Sequence, residues 1–494
     1  MLRKLRIVLG AMVLLLITFL FVDISGLGAK YLSWLAQIQI LPAFMGGAFI
    51  IVAVILLLTL LFGRVYCSVV CPMGLLQDLF ARLGRRAKPR RYTFSREKRT
   101  LRLTILGVFI VSMVAGVSSV VALVAPYSSF GRIAQNIFQP IYQLCANLLS
   151  WVDGAAGGYH VGPTDVWVRS VPVFLIALLT LLIVAILAWR NGRTYCNTVC
   201  PVGTILGYLS KVSLLAPVID KSKCIGCHLC EKNCKAACIN ITKDAEPTID
   251  RSRCVTCFNC IDSCKKGAIS YTWRRSKPAT SSSAKPADRS LRTFLTGIGI
   301  LTATAATAQK EKIVDGGLTI LDAKVPPKRT TDLVPPGSRS LRQFTSRCTG
   351  CQLCVSQCPN NVLRPSTDLL TLMQPRMSFE HGYCRPDCNL CSQICPAGAI
   401  TPLPLSVKVS TQIGHAVWVP DRCVVNTDGV SCGNCARHCP NGAIMMVKHK
   451  DNPDLRIPAV NEEKCIGCGA CEHVCPSRPL SAIYVEGHEN HKEV

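Results

Sequence analysis

Charge is scarcest where the chain is most apolar. Five apolar stretches, at residues 7–24, 41–62, 103–125, 171–189 and 293–308, have cores without Asp, Glu, Lys, Arg or His. That absence excludes a proton relay or an ion path inside them. The nine histidines, at positions 160, 228, 381, 415, 438, 449, 473, 488 and 491, all fall outside these stretches. A b-type haem held by two histidines of this chain is therefore disfavoured. Acidic residues are few as well, 29 Asp+Glu against 55 Lys+Arg. Up to residue 308 the count is 35 basic against 12 acidic, and beyond it 20 against 17. The basic residues of the first part lie in loops beside apolar stretches, a distribution set by topology and anionic lipid, so no nucleic-acid partner is expected. No phosphate-binding loop and no nucleophile beside a base can be picked out.

What the chain has in excess is apolar surface and cysteine. With 49% apolar residues over 494 positions and a mean hydropathy of +0.33, it reads as a membrane protein of several domains. The first four stretches are near the ~20 residues that cross a bilayer. The first follows MLRKLR without a convincing cleavage site, so it reads as a retained helix with its N-terminus inside. Arg64 to Arg102 carries 11 Lys+Arg, residues 24–40 carry one and residues 126–170 carry two. The positive-inside rule then puts residues 64–102 in the cytoplasm.

The expected architecture is an α-helical membrane domain of four helices plus a fifth, with α+β bacterial-type ferredoxin domains, one two-cluster and one four-cluster. Residues 1–215 form the four-helix part, 216–275 a cytoplasmic two-cluster ferredoxin and 276–290 a basic Ser/Pro/Ala linker. Residues 291–308 form the fifth helix and 309–494 a four-cluster ferredoxin outside the cytoplasm. The outer segment 126–170 is amphipathic and reads as interface packing.

Twenty-four of the 30 cysteines fall into six motifs. Cys224, Cys227, Cys230 and Cys234 repeat as Cys254, Cys257, Cys260 and Cys264, both C-x2-C-x2-C-x3-C. One turn of this spacing offers three thiolates to a 4Fe-4S cube, and the fourth reaches the neighbouring cube. Cys264 is thus expected with the first three cysteines and Cys234 with the second three. Cys348, Cys351, Cys354 and Cys358 are regular. Cys384, Cys388, Cys391 and Cys395 have one extra residue in the first gap. Cys423, Cys432, Cys435 and Cys439 have eight residues in that gap, and Cys465, Cys468, Cys471 and Cys475 are regular again. Zinc ribbons also use paired C-x2-C but lack the recurring Cys-x3-Cys-Pro ending. The last four motifs can share ligands sequentially or nested, and the adjacency of the two irregular ones favours nesting. Cys145 and Cys238 read as ordinary buried residues.

Two further pairs, Cys67/Cys71 in GRVYCSVVCPMG and Cys196/Cys200 in GRTYCNTVCPVG, recur 129 residues apart, each after an apolar stretch. Cysteines four apart share a helix face, and Pro72 and Pro201 suit the first turn of a following helix. Three readings stay open: one four-thiolate site, a seventh metal or cluster; a redox-active dithiol pair; or structural turns with inert thiols.

The first 275 residues resemble the NapH/NosR group of membrane ferredoxins. From about residue 290 the chain resembles the NapG/MauM group of four-cluster ferredoxins, with SLRTFLT, Ser290 to Thr296, similar to a twin-arginine signal that has Leu291 and Thr296 in place of the first arginine and the lysine. The resemblance implies a natural fusion in the bacterial inner membrane. It also implies a role as an electron-transfer component that passes electrons from the quinol pool to a periplasmic reductase or cytochrome. Membrane lipid and the quinone pool are the other expected partners. A rival from another class is a redox maturation factor for a respiratory metalloenzyme. A redox sensor ranks last, since no DNA-binding or signalling segment is present.

Overall fold

The structure is a computed structural model, and it describes residues 1–87, 92–155, 162–164, 166–241, 247–273, 313–315 and 319–493. The linker and the stretch 293–308 lie outside the described residues. Two helices are long and apolar enough to cross a membrane by length and composition, Leu2–Val22 and Val171–Asn191, each of 21 residues. Both keep most of their apolar surface uncovered, with Val8 65% and Leu15 70% exposed on the first and Leu175 54% exposed on the second.

The stretches 41–62 and 103–125 are not single helices as expected from their length. The first divides into Ile40–Met45 and Phe49–Phe62, the second into Arg99–Val114 and Ser118–Val124. The cause is a glycine in the left-handed region at each break, Gly47 at φ 77° and Gly116 at φ 74°. At the first break the Ala48 N–H donates to the Ala43 carbonyl (2.9 Å) and Gly47 N–H to Phe44 (3.2 Å). At the second, Val117 N–H donates to Ser112 (2.9 Å). Both are Schellman endings, which use an αL residue to satisfy the last carbonyls and stop the helix.

The two Cys-x3-Cys-Pro segments are paired turns. After Gly63 (φ 70°) the chain makes the short helix Tyr66–Val69 and then Pro72–Ala87; after Gly192 (φ 73°) it makes Thr194–Thr198 and then Pro201–Ser210. Pro201 starts its helix with Cys200 as the N-cap. The first turn packs on the middle of the Leu2–Val22 helix: a Cβ on Gly10 would lie 3.4 Å from the Ser68 carbonyl. The Cys-Pro motifs are therefore interior, not at exposed helix ends.

The segment Pro126–Asn136, expected as interface packing, is buried at every position, as the helix Pro126–Ile133 runs into a π-helical turn at Ala134–Phe138. Beyond these helices come small ferredoxin-like units of two-stranded antiparallel sheets. Leu215–Ile219 pairs with Ile269–Trp273, Thr411–Trp418 with Ile483–Glu493, and Ile444–Lys448 with Arg456–Val460. Each unit has its own core, and cysteines are themselves core members: Cys230, Cys234 and Cys257 in one, Cys354 in the next, Cys423, Cys465 and Cys471 in the last.

The two ferredoxin parts sit at opposite ends of the first helix. At its Leu2 end, Arg3 pairs with Asp262 of the two-cluster part. At its Val22 end, Gln357 Nε2 of the four-cluster part donates to the carbonyls of Leu20 (2.7 Å) and Asp23 (2.9 Å). At 1.5 Å per residue these ends are about 30 Å apart.

Candidate metal centres

Four of the six motifs line a cavity together with the fourth cysteine of a neighbouring motif. Cys224, Cys227 and Cys230 line one cavity with Cys264, and Cys254, Cys257 and Cys260 line another with Cys234. Cys238 also lines the second, its sulfur 3.5 Å from that of Cys234. In the C-terminal part Cys384, Cys388 and Cys391 share a cavity with Cys358, and Cys465, Cys468 and Cys471 share one with Cys439. Cys348, Cys351 and Cys354 lie in electrostatic reach of Cys395, and Cys435 lies in reach of Cys432, Cys423 and Cys475. Sharing is thus sequential, first with second and third with fourth. The nested alternative fails because each neighbouring pair closes around its own core, the first pair with Phe344 and Phe379, the second with Ala443 and Ile444.

A single tetrahedral ion needs its thiolates within about 4 Å of one another. Among the described residues no three His, Cys, Asp or Glu side chains are close enough to hold one ion. Burial pushes the Cys230 and Cys435 thiols up to about 11 and Cys351 to about 12. Loading with iron must therefore release protons.

Cys67, Cys71, Cys196 and Cys200 form a seventh group. All four are buried and within electrostatic reach of one another. An approximate two-fold relates the halves through arginines that precede each motif. Arg64 Nη2 donates to the Cys196 carbonyl (3.2 Å) and Arg193 Nη1 to the Cys67 carbonyl (2.7 Å). Their guanidiniums stand 3.9 Å and 4.0 Å from the sulfurs of Cys67 and Cys196 respectively. Gly74 and Gly203 make room for this exchange: a Cβ on Gly74 would lie 2.4 Å from the Cys67 carbonyl, and one on Gly203 2.3 Å from that of Cys196. Gln77 Nε2 donates to the Cys196 sulfur (3.1 Å) and Gly203 N–H to that of Cys200 (3.2 Å).

Both arginines are 0% exposed. Arg193 shares Asp78 with Arg6 and Lys235. Arg64 has neutral oxygen partners, Asn197 (2.9 Å) and the Ser252 carbonyl (3.1 Å), and its Nε is buried without a hydrogen bond. Three buried cations thus share one carboxylate and a fourth, Arg64, has no anion among its hydrogen-bond partners, an arrangement that a further anion would stabilise. A 4Fe-4S cube held by four thiolates, carrying about two net negative charges, fits that requirement. The cysteines were legible in the sequence. Arg64, Arg193, Gln77, Gly74 and Gly203 were missed, although G-R-x-Y-C-x3-C-P-x-G recurs in full and the repeated arginine was the available signal.

Contacts join the seventh group to both sides. Toward the two-cluster part, Asn197 Nδ2 donates to the Ala236 carbonyl (3.3 Å), the Arg193 N–H donates to Lys235 (2.8 Å), and Arg64 is in reach of Cys254. Toward the four-cluster part, Tyr66 and Tyr127 share one buried core with Cys67, Cys71, Cys196, Cys200 and Cys351. Pro126–Ile133 and the π-helical turn after it carry that contact: Ser128 Oγ donates to the Thr349 carbonyl (2.7 Å) and Asn136 Nδ2 to Gln352 Oε1 (2.9 Å). Further on, Cys391 is in reach of Cys354, and the Cys384 N–H donates to the Cys468 carbonyl (2.9 Å). Cys145 is exposed, contrary to expectation, because its helix Gln139–Ala155 buries only Gln139.

A family model described as a 4Fe-4S binding domain matches twice, at residues 44–91 and 171–219, the two segments that carry the seventh group. A 4Fe-4S dicluster domain model matches residues 430–478 and another 4Fe-4S binding domain model residues 343–364. The C-terminal part is similar to curated ferredoxin-type proteins. The methylamine utilization ferredoxin-type protein MauM of Methylobacillus flagellatus is 33% identical over 165 residues, 32% of this chain and 70% of that protein. The ferredoxin-type protein NapF of Escherichia coli is 28% identical over 33% of this chain and 90% of its own length, and NapG of the same organism 30% identical over 29% and 65%. No solved structure matches. Multiple 4Fe-4S sites, ferredoxin units and this similarity converge: the chain belongs to the family of ferredoxin-type iron-sulfur electron-transfer proteins that includes MauM.

Proposed function

We propose that this protein is a membrane-crossing iron-sulfur wire that carries electrons from the quinol pool to a periplasmic reductase or cytochrome. In this reading the 24 ferredoxin cysteines hold six 4Fe-4S clusters, and Cys67, Cys71, Cys196 and Cys200 hold a seventh between them. The observation that carries it is the seating of the two ferredoxin parts on opposite ends of one helix, with the four buried thiols and Tyr66 and Tyr127 between. The separation of about 30 Å along that helix equals a hydrocarbon layer of ~30 Å. Uncovered apolar side chains on Leu2–Val22, Phe49–Phe62, Arg99–Val114 and Val171–Asn191 need a lipid surround, Ile50 at 81% and Val114 at 82% exposure among them. Four such crossings, with a fifth at 291–308, leave the two-cluster part in the cytoplasm and the four-cluster part in the periplasm.

The clusters supply one-electron redox chemistry when bound. The chain's own residues hold them in order and keep water out. Arg64 and Arg193 balance charge in the interior, and the helix Pro126–Ile133 holds the Cys351 segment against the helices.

The test is electron transfer across sealed vesicles that contain the full-length protein, with quinol as donor and an impermeant dye on the periplasmic face. Cys67→Ser with Cys196→Ser is expected to abolish dye reduction and to lower iron from about 28 to about 24 atoms per chain. Undiminished transfer in that double variant, with maturation of a partner enzyme lost instead, would replace the wire by a maturation factor. A reporter fused after residue 494 that reports a cytoplasmic location would remove the crossing.

A further inference from the structure

Between the first half of the Leu2–Val22 helix, the Pro72–Ala87 helix and the two-cluster part lies an open cleft of about 550 Å³. Its two ends differ in kind. Ile7, Ala11, Leu14, Leu75 and Leu79 make one end apolar, and Ala11 and Leu79 are on the uncovered, membrane-facing surface. Arg6, Asp78, Tyr92 and Lys235 make the other end polar. Arg6 and Lys235 are 7% exposed and Tyr92 5%.

The polar end is incomplete. Asp78 is shared by Arg6, Arg193 and Lys235, yet Arg6 Nε and Tyr92 Oη are buried with no hydrogen-bond partner, as is Arg3 Nε nearby. Buried polar atoms left unpaired point to a partner that completes them. The floor belongs to the loops that carry the quartets: Asn233 and Lys235 bracket Cys234, Asn259 lies between Cys257 and Cys260, and Ser263 precedes Cys264. Through Asp78 and Arg193 the same end touches the group at Cys67 and Cys196.

We infer that this cleft is the quinol site of the chain, with the ring hydroxyls at Tyr92 and Arg6 and the isoprenoid tail along Ala11, Leu14 and Leu79. This rests on the quinol-linked reading above and supplies the residues it lacked. An amphipathic ligand with a hydrogen-bonding head fits both ends, and most of the cations here already have partners, Arg3 in Asp262, Arg6 and Lys235 in Asp78, and Arg85 in Asn233. A redox-active head is favoured over a phospholipid because its seat is bounded by cluster-carrying loops. Oxidation balances as one quinol giving one quinone, two protons and two electrons. The O–H bonds break, the protons leave to water at the open mouth beside Arg82 and Arg86, and the two electrons would be accepted one at a time by the oxidised iron-sulfur cluster that Cys234, Cys254, Cys257 and Cys260 would hold.

The experiment uses the full-length holoprotein in liposomes of phosphatidylcholine and phosphatidylglycerol, with a tailed menaquinol and tail-less menadiol as donors. Ala11→Trp fills the tail end from an exposed position, so it threatens folding little. It is expected to raise the half-saturating concentration of menaquinol about tenfold or more and to leave menadiol nearly unchanged. Tyr92→Phe, at the head, is expected to weaken both donors. Reduction of all clusters by dithionite is unchanged in both variants. Wild-type kinetics with both donors in both variants would overturn the assignment, as would loss of co-purifying phosphatidylglycerol without any kinetic change, which would make the cleft a lipid seat. Failure of the wild-type protein to accept electrons from either quinol, with dithionite reduction intact, would fell the quinol-linked reading itself and is a distinct result.

Discussion

The group at Cys67, Cys71, Cys196 and Cys200 and the six ferredoxin quartets use the same four thiols in different electrical surroundings. In the ferredoxin parts the sulfurs take backbone N–H donors, as at Cys264 from Ala268 (3.3 Å), Cys439 from Ala443 (3.2 Å) and Cys475 from Ala482 (3.3 Å). Several of these cysteines stand near solvent, with Cys227 exposed. Peptide dipoles and water are enough to stabilise negative charge there. The interior group is buried at all four cysteines, and two guanidiniums come within 4.0 Å of its sulfurs. Depth, then, changes the balance at a cysteine group: in the interior two buried guanidiniums add whole charges to dipole donors such as the Gly203 N–H.

The sharpest way to break that comparison is Arg64→Met. Loss of one cation beside the interior group is expected to lower its reduction potential on the order of 100 mV at an effective dielectric near ~20, with Arg64→Lys recovering part of the shift. Lys265→Met, beside Cys264 but on the exposed surface, should move its centre far less because solvent screens it. Redox titration followed by electron paramagnetic resonance separates the two, and equal shifts would sink the distinction.

A second effect, of comparable size, is steric. Gly203→Ala places a methyl 2.3 Å from the Cys196 carbonyl and 3.0 Å from Arg64 Nη2, contacts that force apart the two-fold exchange. A cost of roughly 3 kcal/mol is expected. Gly429→Ala, at φ 65° with nothing within 4 Å of the added carbon, has only backbone strain of about 1 kcal/mol. Thermal denaturation with clusters intact measures both, and a reversed order would remove the special role of Gly203.

The smallest expected effect compares the two ferredoxin parts in acid. His491, on the last strand, has both ring nitrogens buried without partners, and burial lowers its pKa to about 4. In the unfolded chain it titrates near ~6.5. Between these values the unfolded state binds the extra proton, so stability is complete above about pH 6.5 and falls as pH drops toward 4. His491→Asn is expected to flatten that fall in the four-cluster part. The two-cluster part has one histidine, His228, 2.7 Å from Glu231. Denaturant midpoints across this range decide it: an identical pH slope in His491→Asn would show that other groups carry the acid sensitivity.

Much of the chemistry was legible because it is local. A C-x2-C-x2-C run sets three thiols on one turn wherever the turn ends up, so the six motifs and the crossing of Cys234 and Cys264 could be read from spacing. The apolar stretches were legible as composition but not as helices. Gly47 and Gly116 stop two of them through hydrogen bonds that span six residues, a detail that hydropathy averages away. The sequential sharing at Cys358, Cys395, Cys439 and Cys475 was hidden, since spacing allows either order and the packing around Phe344, Phe379 and Ile444 decides it.

The sequence alone determined which thiols share a turn and roughly which segments are apolar, because short-range spacing and side-chain chemistry do not depend on the rest of the fold. Tertiary structure decided what those atoms form together. It brought two cysteine pairs 129 residues apart into one group, made Arg64 and Arg193 exchange partners between its halves, and seated the Cys351 segment on Pro126–Ile133. Those contacts join residues 126 to 221 positions apart. No local pattern encodes such a meeting; it follows from packing two turns against each other through the buried Arg64 and Arg193.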